Sequence, residues 1–504
     1  MSLRASILSG LAARFVTALG HFLLVPVYLH LLGPRQFGWV GVYLTVTALA
    51  ALLDLGLSQS LTREVAQGMT DASRRPELRS VLAAFERLFL ALSAAILAVV
   101  TLGGPRFASV WLEMDAVTPR EAASIFALIG VSIALTFLAS LYFAALNGMH
   151  RQPLANAILI ASFVVRNGGA ALVLWLIARS PVAMFAWQAG ATLLVVLATR
   201  TCVRSYLPPS RPQAGRSGLR VLSRVKGFAA GIALMNLVSG LTQQADKLTL
   251  VRLVPLAQFG AYTLASQLTV GMQIISSVFV VALFPRLAAA AVDAGTGKES
   301  RQMFRKSSQG LAVLAVSIPS VIAWRPVEMM LAWTGNAALA QRLSVVVTLM
   351  MIAAALNATL VVPYTSLIAQ GRVGVALRLT LLQSATFLAL LLPLATRHGL
   401  EGAALASLAG QLVLFAAYGR LIHRTGLGGG LLAWIGDWCP AALAGTSAGA
   451  LSVWAIPSVH SQAAAVLVVF VTLGAAVAAS VAVTSTMRNE AVRMGRRAHR
   501  AMFS

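Results

Sequence analysis

Apolar runs of 20 residues or more recur along almost the whole chain, separated by short charged segments. A helix needs about 20 apolar residues to cross the hydrocarbon core of a bilayer. In lipid, every backbone N–H and C=O must find its partner inside the protein, which leaves only helices and closed barrels. Barrel strands would be about 10 residues long and would alternate apolar with polar positions; nothing in the chain does so. The expected fold class is therefore all-α and membrane-embedded. Composition agrees: 11% of the 504 residues are charged, against roughly 25% in a soluble domain.

The pattern predicts about 14 transmembrane helices, at 6–31, 38–60, 81–103, 122–147, 154–178, 181–203, 227–251, 260–284, 308–324, 340–369, 373–396, 400–421, 431–456 and 462–486. An even number puts both termini on one side. The formal charge of +24 would suggest nucleic acid in a soluble protein. Here the basic residues sit in short loops and no nucleic-acid-binding module accompanies them, so topology is the plainer reading. With both termini inside, and with Arg200, Arg342 and Arg420 at span ends counted with the adjoining loops, cytoplasmic segments hold 26 Lys and Arg and outer segments hold 8, five more lying within spans. Cytoplasmic loops carry the excess of Lys and Arg in membrane proteins. The expected topology is thus multi-pass, with both termini cytoplasmic.

The chain divides into an N-lobe at 1–205, a basic linker at 206–226, a C-lobe at 227–425, an extra helix pair at 431–486 and a basic tail at 487–504. The tail arginines Arg488, Arg493, Arg496, Arg497 and Arg500 would lie against anionic lipid headgroups or serve only as a topology signal. The first apolar run is too long for a signal peptide and lacks a small-residue cleavage site. Cys202 and Cys439 have no metal-ligand neighbours at useful spacing, so neither a metal site nor a cofactor is expected.

A shift of 222 residues aligns the two lobes. LLGPRQFGWVGVYLTVTAL falls on RLVPLAQFGAYTLASQLTV, with Phe37-Gly38 on Phe259-Gly260. YFAALNGMHRQP and YTSLIAQGRVGV match at an offset of 223, through Asn147-Gly148 and Gln370-Gly371. Two matches in register point to a duplication. Six helices per lobe would give two pseudo-symmetric lobes of the same orientation around a central cavity.

Polar residues interrupt the spans in a pattern. Arg14, Thr17 and His21 share a face of the first helix, and Asn236, Ser239, Gln243 and Lys247 share one of the seventh. The 222 shift superposes the two stripes. Facing lipid would be costly, so they should line a wet cavity or bond to neighbouring helices. Arg166 lies near the middle of the fifth span, where an arginine costs roughly 2.5–3.5 kcal/mol on insertion scales and needs water or a counter-charge. Asp54 is a candidate partner. Asp246 beside Lys247 reads as an interfacial pair or a coupling residue, and Arg378 lies some six residues into the eleventh helix. Glu86 and Arg87 sit at the cytoplasmic end of the third span, where they can snorkel. The candidate ligand contacts are Arg14, His21, Arg166, Asn236, Gln243, Lys247 and Arg378. Cations with few acids suit an anionic or polyhydroxyl ligand, and arginine's planar fork suits phosphate.

LLGPRQFG at 31–38, LLDLGLSQSLTREVA at 52–66, QADKLTLVRLVPLAQFGAYTLASQL at 244–268 and PYTSLIAQGRVG at 363–374 carry a resemblance. The chain resembles the polysaccharide-transporter branch (Wzx-type flippases) of the multidrug/oligosaccharidyl-lipid/polysaccharide exporter (MOP) superfamily. The resemblance implies a six-plus-six helix fold and movement of undecaprenyl-diphosphate-linked oligosaccharide from the cytoplasmic to the periplasmic leaflet. It implies lipid-linked oligosaccharide, membrane lipids and polysaccharide-assembly proteins as partners. Many relatives have twelve helices; the extra pair here is shared with the related lipid II flippases. Multidrug antiport and an integral-membrane glycan polymerase or ligase are the other readings. The last would need an outer loop presenting chemistry, whereas the longest, 106–121 and 325–342, are short, and GLGGG at 426–430 lacks the context of a nucleotide site.

Topology has a direct check. In a background with both native cysteines replaced, cysteines at Ser210 and Ser485 should resist an impermeant thiol reagent added to intact spheroplasts. Labelling at either from outside would reverse the orientation.

Overall fold

The computed structural model describes residues 3–54, 56–71, 75–111, 118–207, 237–292, 298–485 and 488. Most of the basic linker and tail, and Asn236, therefore lie outside the described residues. Every regular element among the described residues is helical. They are α1 (Leu3–Ala51), α2 (Leu57–Thr70), α3 (Leu78–Trp111), α4 (Pro119–Gly148), α5 (Gln152–Phe163), α6 (Gly169–Leu176) and α7 (Pro181–Tyr206). A further helix, α8, covers 237–253. Then come α9 (Leu256–Val292), α10 (Lys298–Ala315), α11 (Ser317–Trp324), α12 (Pro326–Thr334), α13 (Ala337–Arg342), α14 (Ser344–Ala369), α15 (Val373–Thr425), α16 (Leu431–Ala455) and α17 (Gln462–Val483).

Among the described residues, nine helical stretches are long and apolar enough to cross a membrane. Two are long enough to cross twice: Ala12–Asp54, at 43 residues, and Val373–Thr425, at 53. Each carries a break, at Gly33 (φ 75°) and at Gly399 (φ 54°). Taking these as two each, and joining α5 to α6 and α10 to α11, the described residues form fourteen long helices, in the order the hydropathy predicts. Large apolar side chains point outward, among them Trp175, Ile177, Leu432, Trp454 and Phe470. Lipid as solvent removes the penalty that water would impose on them.

Three local expectations change. The second span does not run unbroken to residue 60: a 3-10 turn at Leu52–Asp54 and Gly56 (φ 79°) end it, and α2 continues to Thr70. Leu61, Val65 and Gly68 bury one face of α2, which sits against α4 and α3 at Gly148 and Leu78. The outer loop expected at 325–342 instead contains α12 and α13. Arg325, at the start of that segment, is buried. The repeat alignment also shifts where α4 and α14 end. Arg151 N–H donates to the Leu146 carbonyl, and Arg372 N–H to the Leu367 carbonyl. Both ends use a left-handed residue, His150 (φ 56°) in one and Gly371 (φ 73°) in the other. The structural equivalence is thus His150 with Gly371, not Gly148 with Gly371.

The chain forms two compact units, Met1–Gly260 and Ala261–Ser504. In the first, α4 is central and packs on α2, α3 and α7. Phe89 stacks on Phe137 at 4.9 Å between centroids, Trp39 meets Phe126 edge-on at 5.5 Å, and Tyr43 lies 5.4 Å from Phe185. Glu86 of α3 accepts from Tyr142 Oη at 2.9 Å and faces Arg200 and Arg204 of α7 at 3.7 and 3.5 Å.

In the second unit, α14 packs on α10, α11 and α15, and the extra helix α16 packs on α10, α11 and α17. Gly445 and Gly449 bring α16 against Ser317 and Trp324 of α11, a small-residue contact that lets helix backbones approach closely. Polar contacts fasten both ends of α16. Asp437 accepts from Gln309 Nε2 at 3.1 Å and lies 3.5 Å from Arg305 Nε. Arg325 donates to Glu328 Oε1 (2.5 Å), Ser452 Oγ (3.2 Å) and the carbonyls of Ser452 and Ile456. It thereby reaches two carbonyls at the C-terminal end of α16, of which Ser452 also accepts from the Ile456 N–H at 2.8 Å.

Breaking a buried ion pair by deleting one partner costs about 3–5 kcal/mol, because the other charge stays buried. Arg325→Ala should lower the thermal unfolding midpoint of the purified protein sharply. An unchanged midpoint would remove Arg325 as the anchor of α16.

Candidate functional site

In the first unit α1 packs along α5 and α6, and their facing sides carry polar groups. Asn156 Nδ2 donates to Ser9 Oγ at 3.0 Å. Thr17 Oγ1 donates to the Ala13 carbonyl at 2.7 Å. His21 Nδ1 lies 2.7 Å from the Thr17 carbonyl, which can only accept, so Nδ1 carries a proton and Nε2 is left to face outward chemistry. The imidazole packs 4.6 Å from the Phe163 ring. Gly20 makes that possible, because a Cβ there would collide with Phe163. Arg14 is solvent- or lipid-exposed on the same helix.

Arg166 lies on a π turn, Val164–Gly168, that joins α5 to α6. Its nearest polar partner is Thr136 of α4, at 3.5 Å from NH1. Its Nε is buried and has no hydrogen-bond partner among the described residues. The guanidinium also stands within electrostatic reach of His21 and Tyr28. No carboxylate pairs with it among the described residues. The expected partner, Asp54, is engaged elsewhere: it accepts from Ser58 N at 3.0 Å and Ser58 Oγ at 2.8 Å. Asp54 thus caps the start of α2, where backbone N–H groups need an acceptor. Sequence spacing placed Asp54 in a span without showing that the span breaks there.

The remaining candidates separate. Lys247 Nζ lies 3.5 Å from Asp246 Oδ1, and its backbone N–H donates to the same oxygen at 2.8 Å. That lysine is locally neutralised. Gln243 is exposed on α8. Arg378 is exposed on α15, in the other unit. Arg14, His21 and Arg166 are therefore the candidates gathered on neighbouring helices of one unit.

Four contributors were not legible from the spans: Tyr28, Thr136, Asn167 and Trp187. Tyr28 Oη donates to the Asn167 carbonyl at 2.7 Å, and Trp187 Nε1 donates to the Val165 carbonyl at 2.9 Å. Asn167 Nδ2 donates to the Phe163 carbonyl at 3.2 Å. Their only sequence signal is the polar-glycine run Arg166-Asn167-Gly168-Gly169 inside an apolar span. Together these groups form a cationic, hydrogen-bonding face within membrane-spanning helices, without a carboxylate beside the cation. Such a face can hold an anion or water and is poorly suited to an organic cation.

Comparison with known proteins bears on what that face serves. Residues 3–290 match the family described as polysaccharide biosynthesis protein. A Shigella flexneri protein provisionally named an O-antigen transporter is 22% identical over 376 residues, covering 74% of this chain and 86% of its own. Among solved structures, the lipid II flippase MurJ in an inward closed conformation superposes with a TM-score of 0.68 at 11% identity, covering 97% of this chain and 100% of its own. The multidrug transporter DinF-BH, of the MATE type, gives 0.59 at 16% identity, covering 85% and 96%. The helical fold is that of MOP-superfamily transporters, and by the family match over more than half its length the chain belongs to the polysaccharide biosynthesis protein family.

Proposed function

We propose that this membrane transporter is a flippase for polyprenyl-diphosphate-linked oligosaccharide, carrying it from the cytoplasmic to the periplasmic leaflet of a bacterial inner membrane. The observation that carries the reading is Arg166: a cation in a membrane-spanning segment, with a buried unpartnered Nε and no carboxylate beside it. The insertion cost of such a residue argues for a functional counter-charge brought by the ligand. In this reading Arg166 meets the diphosphate and His21 offers Nε2 to it or to the glycan, while Arg14 stands on the same helix. The polyprenyl tail stays in lipid. The polar face is exposed alternately to the two sides of the membrane, as rocking transporters of internal-repeat design do. The reading is supported by the family match and by the relative named as an O-antigen transporter.

Lipid II flipping is the second reading, because the MurJ superposition extends over 97% of this chain, including the extra helix pair. The two ligands share the polyprenyl diphosphate and differ in the glycan. Vesicles offered each lipid separately distinguish them. Multidrug antiport is disfavoured by the cationic face and by the engagement of Asp54 with Ser58.

Arg166→Ala should slow flipping in reconstituted vesicles about ten-fold or more, the equivalent of a lost charge-assisted hydrogen bond of about 1.5–3 kcal/mol. Arg166→Lys, which keeps the charge, should retain more activity at equal protein abundance. Equal, near-normal flipping by both variants would remove Arg166 as the phosphate contact.

A diphosphate diester carries about two negative charges, and each gains roughly 2.3 kcal/mol on moving outward through 100 mV. Collapsing the membrane potential while holding the pH gradient should therefore slow flipping. An unchanged rate would exclude movement of a bare diphosphate through the field.

A further inference from the structure

In an α-helix each N–H bonds the carbonyl four residues back; a π turn inserts one extra residue and leaves carbonyls imperfectly satisfied. In lipid that deficit must be met by a neighbouring side chain. At Val164–Gly168 the Gly169 N–H is shared among the Val164, Val165 and Arg166 carbonyls, and two neighbouring side chains add to the backbone bonds. The Val165 carbonyl accepts from Trp187 Nε1 of α7, and the Asn167 carbonyl accepts from Tyr28 Oη of α1. These two carbonyls bracket Arg166. The donors come from two different helices, so the turn is gripped from both sides. Tyr28 is buried, and burying a phenol is costly unless its hydroxyl is bonded.

The glycines fit the same arrangement. A Cβ at Gly169 would run into the Trp187 indole. Gly169 follows the π turn directly, so the indole can reach Val165 only because position 169 has no side chain. Without the grip, the turn's lowest-energy alternative is an ordinary α-helix. Each residue of an α-helix turns about 100° around the axis. Losing the inserted residue would therefore swing Arg166 off the face it shares with His21.

We propose that Tyr28 and Trp187 are positioning residues: their hydrogen bonds to the Asn167 and Val165 carbonyls hold the π turn that aims Arg166 at the ligand. The geometric part stands on the hydrogen bonds alone; the step from aim to transport rests on the reading of Arg166 as a phosphate contact.

Tyr28→Phe and Trp187→Phe remove one donor each and keep the ring. In a background with Cys202 and Cys439 replaced by serine, Arg166→Cys reports the direction of position 166 through its labelling rate by a small water-soluble methanethiosulfonate. Adding Tyr28→Phe and Trp187→Phe together should change that rate at least about five-fold. With Arg166 present, the same double substitution should slow flipping about ten-fold at equal abundance. In an Arg166→Ala background it should cause no further loss. Gly169→Ala, which displaces the indole without deleting a donor, should reproduce the labelling change. An unchanged labelling rate in both the double variant and Gly169→Ala overturns the grip, whatever flipping does. Changed labelling with normal flipping by Arg166→Ala retains the grip and removes the phosphate reading. Changed labelling, slow Arg166→Ala and normal flipping by the double variant overturns the positioning role.

Discussion

Every break in a helix inside lipid exposes backbone groups that water cannot reach, and each must be satisfied by something the fold supplies. The described breaks in this chain illustrate the supply. Asp54 and Ser58 restart the helix after the 3-10 turn. Arg325 takes the carbonyls at the end of α16. Tyr28 and Trp187 take those of the π turn. The polar residues at these points are first of all backbone partners, and this sorts them from the ones left over. A polar side chain in a membrane helix is weak evidence of a ligand until the local backbone has been accounted for.

The same sorting applies to charge. Glu86 faces Arg200 and Arg204, Lys247 faces Asp246, Asp437 faces Arg305, and Arg325 faces Glu328. Buried charges are ordinarily paired because an isolated ion loses its hydration. Arg166 instead has one long contact to a threonine. A cation with no carboxylate partner among the described residues is expensive to build for packing alone, since a leucine would pack as well without the desolvation. That asymmetry, more than the abundance of arginines in the sequence, is what sets Arg166 apart from the paired charges.

The spans and their order were legible because lipid imposes one pattern, a run of about 20 apolar residues. The polar stripe Arg14, Thr17 and His21 was legible because a straight helix fixes which residues share a face. Legibility ended wherever the helix was not straight. The π turn at Val164–Gly168 depends on donors from α1 and α7, distant in sequence, so no local period could announce it. Asp54 read as a partner for Arg166 because a continuous second span was assumed. The segment 325–342 read as an outer loop because hydropathy cannot distinguish a solvated loop from two short helices that bury an arginine.

The internal repeat shows how a duplicated fold acquires an uneven site. The terminations of α4 and α14 share their hydrogen bonds across an offset of 221, even though one uses histidine and the other glycine in the left-handed position. Backbone geometry has thus been kept where side-chain identity has not. The polar chemistry has diverged further. At an offset of 221 or 222 the counterparts of Arg166 are Phe387 and Leu388, and α15 is broken at Gly399 rather than by a π turn. Conversely, the 222 counterpart of Arg378 is Asn156, which bonds Ser9 of α1. A midspan cation with a π turn beneath it therefore belongs to one unit and not to its repeat. Symmetry of the backbone supplies two similar helical units. Their side chains differ, and among the described residues that difference is concentrated at the turn where the helix departs from its regular geometry.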